Sequence, residues 1–88
     1  MYRVYWGPEL IQQISVVYLR ANRIAQEEIL SAIERIDAVL ATNPLHAGES
    51  RNSDYVRVVI DGPVATSFRV DPGRLLVRVT SVSIVERN

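Results

Sequence analysis

The chain reads as a two-layer α+β domain, with a first strand, an antiparallel helical hairpin and then a three-stranded antiparallel meander. Three observations predict this. Apolar residues recur at helical spacing from Leu10 to Leu40. The spacing then changes to strict alternation from Tyr55 onward. Short turn signals, Asp61-Gly62-Pro63 and Asp71-Pro72-Gly73-Arg74, divide the alternating part into three. Helices covering one face of a meander make two layers around one core.

The first strand is Tyr2–Trp6, where Val4 sits between Arg3 and Tyr5 and gives one apolar and one mixed face. Its place in the sheet, edge or centre, is open at this stage. Pro8 suits the first helical position, where a missing N–H costs nothing, and Glu9 suits the positive helix end. Leu10, Ile11, Ile14, Val17 and Tyr18 form the first apolar stripe, and the helix is expected to end near Ala21-Asn22. A second helix starts near Asn22 or Arg23. Its stripe is Ala25, Ile29, Ala32, Ile33, Ile36, Val39 and Leu40, and Asn43-Pro44 stops it. The short connection predicts an antiparallel pair. Residues 43–54 read as a polar loop.

Strands are expected at Tyr55–Ile60, Val64–Val70 and Leu75–Ile84. Period two sorts their faces. Val56, Val58 and Ile60, then Val64, Thr66, Phe68 and Val70, then Leu75, Val77 and Val79 are expected to pack on the helices. Tyr5, Arg57, Arg69 and Arg78 would then share the open face. Arginines interleaved with tyrosine can bind phosphates and stack on bases. A solvated face kept polar by long arginine stems fits the spacing as well, and on spacing alone is the better reading.

Composition narrows the function classes. Eighty-eight residues make a single domain, 1–88, that buries only about 60–65 % of its unfolded surface. Net charge is zero, which argues against coating nucleic acid by charge alone. Residues 7–42 carry three arginines against five acids; residues 43–88 carry six against five, so the sheet portion is the more basic. All ten basic residues are Arg, which suits planar phosphate or carboxylate recognition but follows equally from a GC-rich genome. No cysteine excludes a disulfide framework and a thiolate metal site. His46 has no companion at ligand spacing, no glycine loop cradles a phosphate, and no cofactor or metal is expected. The start MYRVYWGPEL does not read as a signal peptide and no apolar run spans a membrane, so the expected location is the cytoplasm.

The pieces V-Y-W-G-P-E-L, A-I-E-R-I-D-A-V-L-A-T-N-P and A-G-E-S-R…Y-V-R-V-V-I-D-G-P-V-A-T-S-F-R-V-D…V-R-V-T-S-V stand in this order over nearly the whole chain. In order and spacing the chain resembles the RelE/ParE-like toxins of type II toxin–antitoxin (plasmid-stabilisation) systems. The resemblance implies a toxin component, neutralised by a cognate antitoxin, as a homodimer or a toxin–antitoxin hetero-oligomer. Two activities occur in that family. RelE-like members cut messenger RNA in the ribosome, positioning the RNA so that its own 2′-hydroxyl attacks the next phosphate. ParE-like members inhibit DNA gyrase without a nuclease centre. A degenerate toxin fold that only pairs with a partner is the other non-enzymatic reading, and a structural or interaction domain with no toxic activity is the third.

For the nuclease reading, the resemblance makes Arg57, Arg69 and Arg78 the candidate catalytic cations. Arg51, Tyr55 and Tyr5 become candidate RNA- or target-binding residues. The fit is poor in places. Of two basic positions on the strand Val56–Ile60, Arg57 fills one and Val59 the other. An arginine expected early in the next strand is replaced by Val64-Ala65. The arginine and tyrosine or histidine expected at the end fall on S-V-S-I-V-E-R-N, with Arg87 the one cation available there. Arginine stays protonated and moves no proton, which leaves Tyr5 and Tyr55, and tyrosine is a reluctant base at neutral pH. Whether the chain is an enzyme is therefore undecided by its sequence.

Overall fold

The computed structural model describes residues 1–85. Strand β1 (Arg3–Trp6) leads into helix α1 (Pro8–Arg20) and helix α2 (Arg23–Thr42). A single 3-10 turn, Pro44–His46, precedes β2 (Glu49–Arg51), β3 (Ser53–Asp61), β4 (Val64–Asp71) and β5 (Leu76–Ile84). The five strands form one sheet in the order β1-β5-β4-β3-β2. β1 lies at an edge, parallel to β5, and all other pairs are antiparallel. The expected α+β architecture is what the chain adopts.

Local chemistry accounts for the helices. Pro8 opens α1 and Glu9 lies in its first turn. Asn22 caps α2 by accepting a hydrogen bond from the Ala25 N–H at 2.9 Å. The Gln26 amide donates to the Tyr18 carbonyl at 2.8 Å, which closes the connection between the two helices. α2 is the helix that builds the core: Ile29, Ala32, Ile36 and Leu40 are buried on one stripe. α1 buries no residue fully; Leu10, Ile14, Val17 and Tyr18 are half-buried, and Ile11 is exposed. Under α2 lie Val64, Thr66, Phe68 and Val70 of β4 with Val77 and Val79 of β5. Phe68 is wholly buried at the centre, worth about 1.5–3 kcal/mol of apolar burial.

Three expectations need correction. First, the polar loop expected over 43–54 contains β2. This strand has no apolar alternation and exists because β3 offers it backbone partners, Glu49 opposite Val58 and Ser50 opposite Arg57. Second, Leu75, expected to begin the last strand in the row packed on the helices, precedes β5, takes φ 51° and is 49 % exposed; the open question of where β1 sits is settled by its pairing with β5 alone. Third, β3 faces the other way. Its residues pair with β4 as Arg57 with Phe68, Val59 with Thr66 and Asp61 with Val64. Directly opposed residues share a face, so Arg57, Val59 and Asp61 lie on the helix side. Val56, Val58 and Ile60 therefore lie on the open side, and Ile60 is 71 % exposed.

The reason is register. Asp61 and Val64 close a hairpin whose loop is Gly62-Pro63, and Gly62 takes φ 54° at the first turn position. That loop length sets which β3 row meets the buried β4 row. Two polar anchors then hold the row. Arg35 on α2 grips the Asp61 carboxylate with Nε at 2.9 and 3.1 Å and Nη2 at 2.6 Å. The hydrogen bonds from Arg35 hold the Asp61 carboxyl below the usual carboxylate range. Arg57 is the other anchor.

Candidate functional site

The register of four strands places one residue from each in a single row across the open face. Tyr5 of β1 is opposite Arg78 of β5, Arg78 is opposite Arg69 of β4, and Arg69 is opposite Val56 of β3. Neighbouring strands lie about 4.8 Å apart, so the row is about 14 Å long. The Arg78 guanidinium lies over the Tyr5 ring, 5.6 Å from its centroid, a cation–π contact. Arg69 and Arg78 are both exposed. Among the described residues neither is ion-paired. Arg3 shares the face, opposite Leu76.

Beside the arginine pair is a hollow of about 630 Å³. It forms where β3 stops pairing with β4 at Val56–Arg69 while β4 continues to Asp71. Tyr55 and Ser53, from the start of β3, line one side; Pro72 and Arg74, from the β4–β5 turn, line the other. Asp71 also lines it, and its carboxylate accepts the Arg74 N–H at 3.2 Å and faces the Arg74 side chain at 3.7 Å.

The sequence-level candidates divide. Tyr5, Arg69 and Arg78 come together on the open face. Arg57, expected with them, does not: it lies on the opposite face of the sheet and its fork is spent on backbone carbonyls. Nε donates to Ala47 O at 2.8 Å, Nη2 to Gly48 O at 3.2 Å and Nη1 to Asp54 O at 3.3 Å. Tyr55 shares Arg57's alternation and is 52 % exposed at the end of its strand. Arg51 lies on the edge strand β2, ion-paired with Glu49 at 3.2 Å. His46 Nδ1 is 2.9 Å from Asn43 Oδ1, a local contact. Arg87 lies outside the described residues.

The corrected β3 face also changes how the family pattern maps. The open-face positions on β3 are Val56 and Val58, not Arg57 and Val59. At the far end of the same face, Ala65 of β4 is opposite Ser83 of β5. The face thus carries its cations at the β4–β5 turn end and small or apolar residues at the other. Sequence reasoning missed the like-charge row itself; the alternation places Arg69 and Arg78 on one face, but only pairing makes them neighbours.

The face can bind an anion and stack a ring. Arg3, Arg69 and Arg78 supply charge without proton transfer, and Tyr5 is the one open-face side chain in the row with a hydroxyl.

The fold has a clear counterpart among solved structures. The crystal structure of the isolated E. coli RelE toxin matches with a TM-score of 0.64, covering 100 % of this chain and 88 % of that one at 14 % identity. The chain has a RelE-like toxin fold along its whole length. No family profile matches the sequence, and no curated protein does.

Proposed function

We propose that this chain is the toxin component of a toxin–antitoxin pair and acts by binding its target, not by cutting RNA. The fold supports the toxin role, since the likeness to the RelE toxin runs the full length of the chain. One observation carries the choice of binding over cleavage. Among the described residues, the open face has Val56 and Val58 on β3 and Ala65 opposite Ser83 at the far end, and the carboxylate beside its cations, Asp71, is held by Arg74. Cleavage by 2′-hydroxyl attack needs both charge stabilisation and proton movement. Arg69, Arg78 and Tyr5 supply contacts to a target; the antitoxin neutralises the protein by covering this face.

The test is induced expression in bacterial cells, with primer extension on messenger RNA and a supercoiling assay with purified gyrase. Growth arrest with intact messenger, relieved by a co-expressed small antitoxin, is the expected result. Inhibited supercoiling in the same experiment identifies gyrase as the target. Breaks at ribosomal A-site codons, lost in Arg69→Ala or Arg78→Ala, would overturn the binding reading in favour of a nuclease.

A further inference from the structure

Among the described residues the like-charge pair Arg69 and Arg78 has no ion-pair partner. Arg69 and Arg78 stand directly opposite on antiparallel strands, an arrangement that destabilises a sheet. The nearest acid in their hollow, Asp71, is engaged by Arg74. Tyr5 holds the Arg78 guanidinium over its ring. The two cations border a hollow of about 630 Å³ with an exposed aromatic wall, Tyr55, and a hydroxyl, Ser53.

We infer that this hollow binds a phosphate monoester carried on an aromatic base, that is, a nucleoside phosphate. A monoester carries about −1.5 to −2 charge near neutral pH, so one group neutralises both guanidiniums. Each guanidinium is a planar fork suited to bidentate contact with phosphate oxygens. A carboxylate brings one charge, and an internal phosphodiester also brings one, so neither balances the pair alone. The hollow lies at the end of the sheet, where β3 no longer pairs with β4, so Tyr55 reaches its wall although it belongs to Arg57's row; the base stacks there while the phosphate sits over the arginine row. The monoester comes from a free nucleotide or from the phosphorylated end of an RNA chain. This inference rests on the open face being the binding surface; it does not depend on what the toxin's cellular target is.

The experiment uses the full chain and reads affinity by calorimetry and the thermal midpoint at matched ionic strength. The probes are adenosine 5′-monophosphate, adenosine and inorganic phosphate. The monophosphate should bind at least about tenfold tighter than either part, one charged hydrogen-bonding group being worth that much. Arg69→Gln and Arg78→Gln should each weaken it by about tenfold. Arg69→Gln should also raise the midpoint of the free protein, because the repulsion is removed, whereas Arg78→Gln sets that gain against loss of the Tyr5 contact. That rise checks folding, and a merely structural arginine would not show it. Arg23→Gln, on α2 beside Glu27, should bind as the parent does. A short oligoribonucleotide with a 5′-phosphate that binds tighter than the free nucleotide assigns the source to an RNA end; weaker binding assigns it to the free nucleotide. Equal binding of phosphorylated and 5′-hydroxyl oligonucleotides overturns the monoester requirement. Equal binding of monophosphate and inorganic phosphate, or unchanged affinity in Arg69→Gln, overturns the site. Growth arrest that persists without any nucleotide binding leaves the toxin role standing and removes this inference alone.

Discussion

Replacing Arg57 by alanine separates a structural arginine from a functional one. Its side chain makes three hydrogen bonds to backbone carbonyls, at 2.8, 3.2 and 3.3 Å, on residues 47, 48 and 54. These tie the segment after the 3-10 turn and the entry to β3 into one unit. Hydrogen bonds to a charged donor contribute about 1.5–3 kcal/mol when well formed. Only the Nε bond is short, the other two are long, and Arg57 is half-buried. A loss of about 2 kcal/mol follows. A domain of this size holds about 4–13 kcal/mol in all, so the loss is a sizeable fraction. At about 4–8 °C per kcal/mol for a small domain, the melting temperature should fall by about 8–16 °C. Arg57→Lys keeps the charge but loses the fork, and should fall between alanine and the parent. Circular-dichroism melting and urea titration measure both, and limited proteolysis between residues 47 and 54 should quicken. A change within about 0.5 kcal/mol, the range of an ordinary surface substitution, would refute the clamp. Lost toxicity at unchanged stability would return Arg57 to the functional site.

Other changes test the packing and the electrostatics. Phe68→Ala removes the central, fully buried ring and should cost about 3–5 kcal/mol by chemical denaturation. Gly48→Ala should cost about 2–4 kcal/mol, because φ is +60° and an added Cβ would sit 1.9 Å from the Val58 carbonyl oxygen. Gly62→Ala, with nothing within 4 Å of an added Cβ, should lose only the left-handed backbone cost of about 1 kcal/mol; equal effects in the two variants would discredit the close approach at Gly48. The Asp61 carboxyl, held low by Arg35, binds fewer protons folded than unfolded in the acid range. Its stabilisation is therefore present above the ordinary carboxylate range and is lost as pH falls through the depressed folded value. Asp61→Asn should flatten the acid limb of a stability–pH curve, and an unchanged limb would count against that ion pair.

Much of this molecule was legible in its periodicities. The shift from helical to alternating spacing gave both helices and three of the five strands, because each depends on which residues recur on one side of a local element. The stripe through Ile29, Ile36 and Leu40 is the buried one, and the row of β4 and the residues Val77 and Val79 of β5 face as they read, while Leu75 lies outside the strand and is exposed. β2 was invisible, because Glu49-Ser50-Arg51 becomes a strand only through the backbone groups that β3 presents to it. The face of β3 is misleading in the sequence for a related reason. Its two rows, Val56-Val58-Ile60 and Arg57-Val59-Asp61, differ by one residue, and apolarity alone favours the first. The two-residue hairpin to β4 decides for the second, and Arg35 and Ala47 provide the polar partners that make it tolerable. The candidate site shows the same division. Composition and alternation put Arg69, Arg78 and Tyr5 on an open face, but strand order and register bring them into one row and send Arg57 through the sheet to the other side. Local spacing determines which side of its own strand a residue takes; contact between strands is set by loop length and hydrogen-bond register, which belong to the tertiary structure.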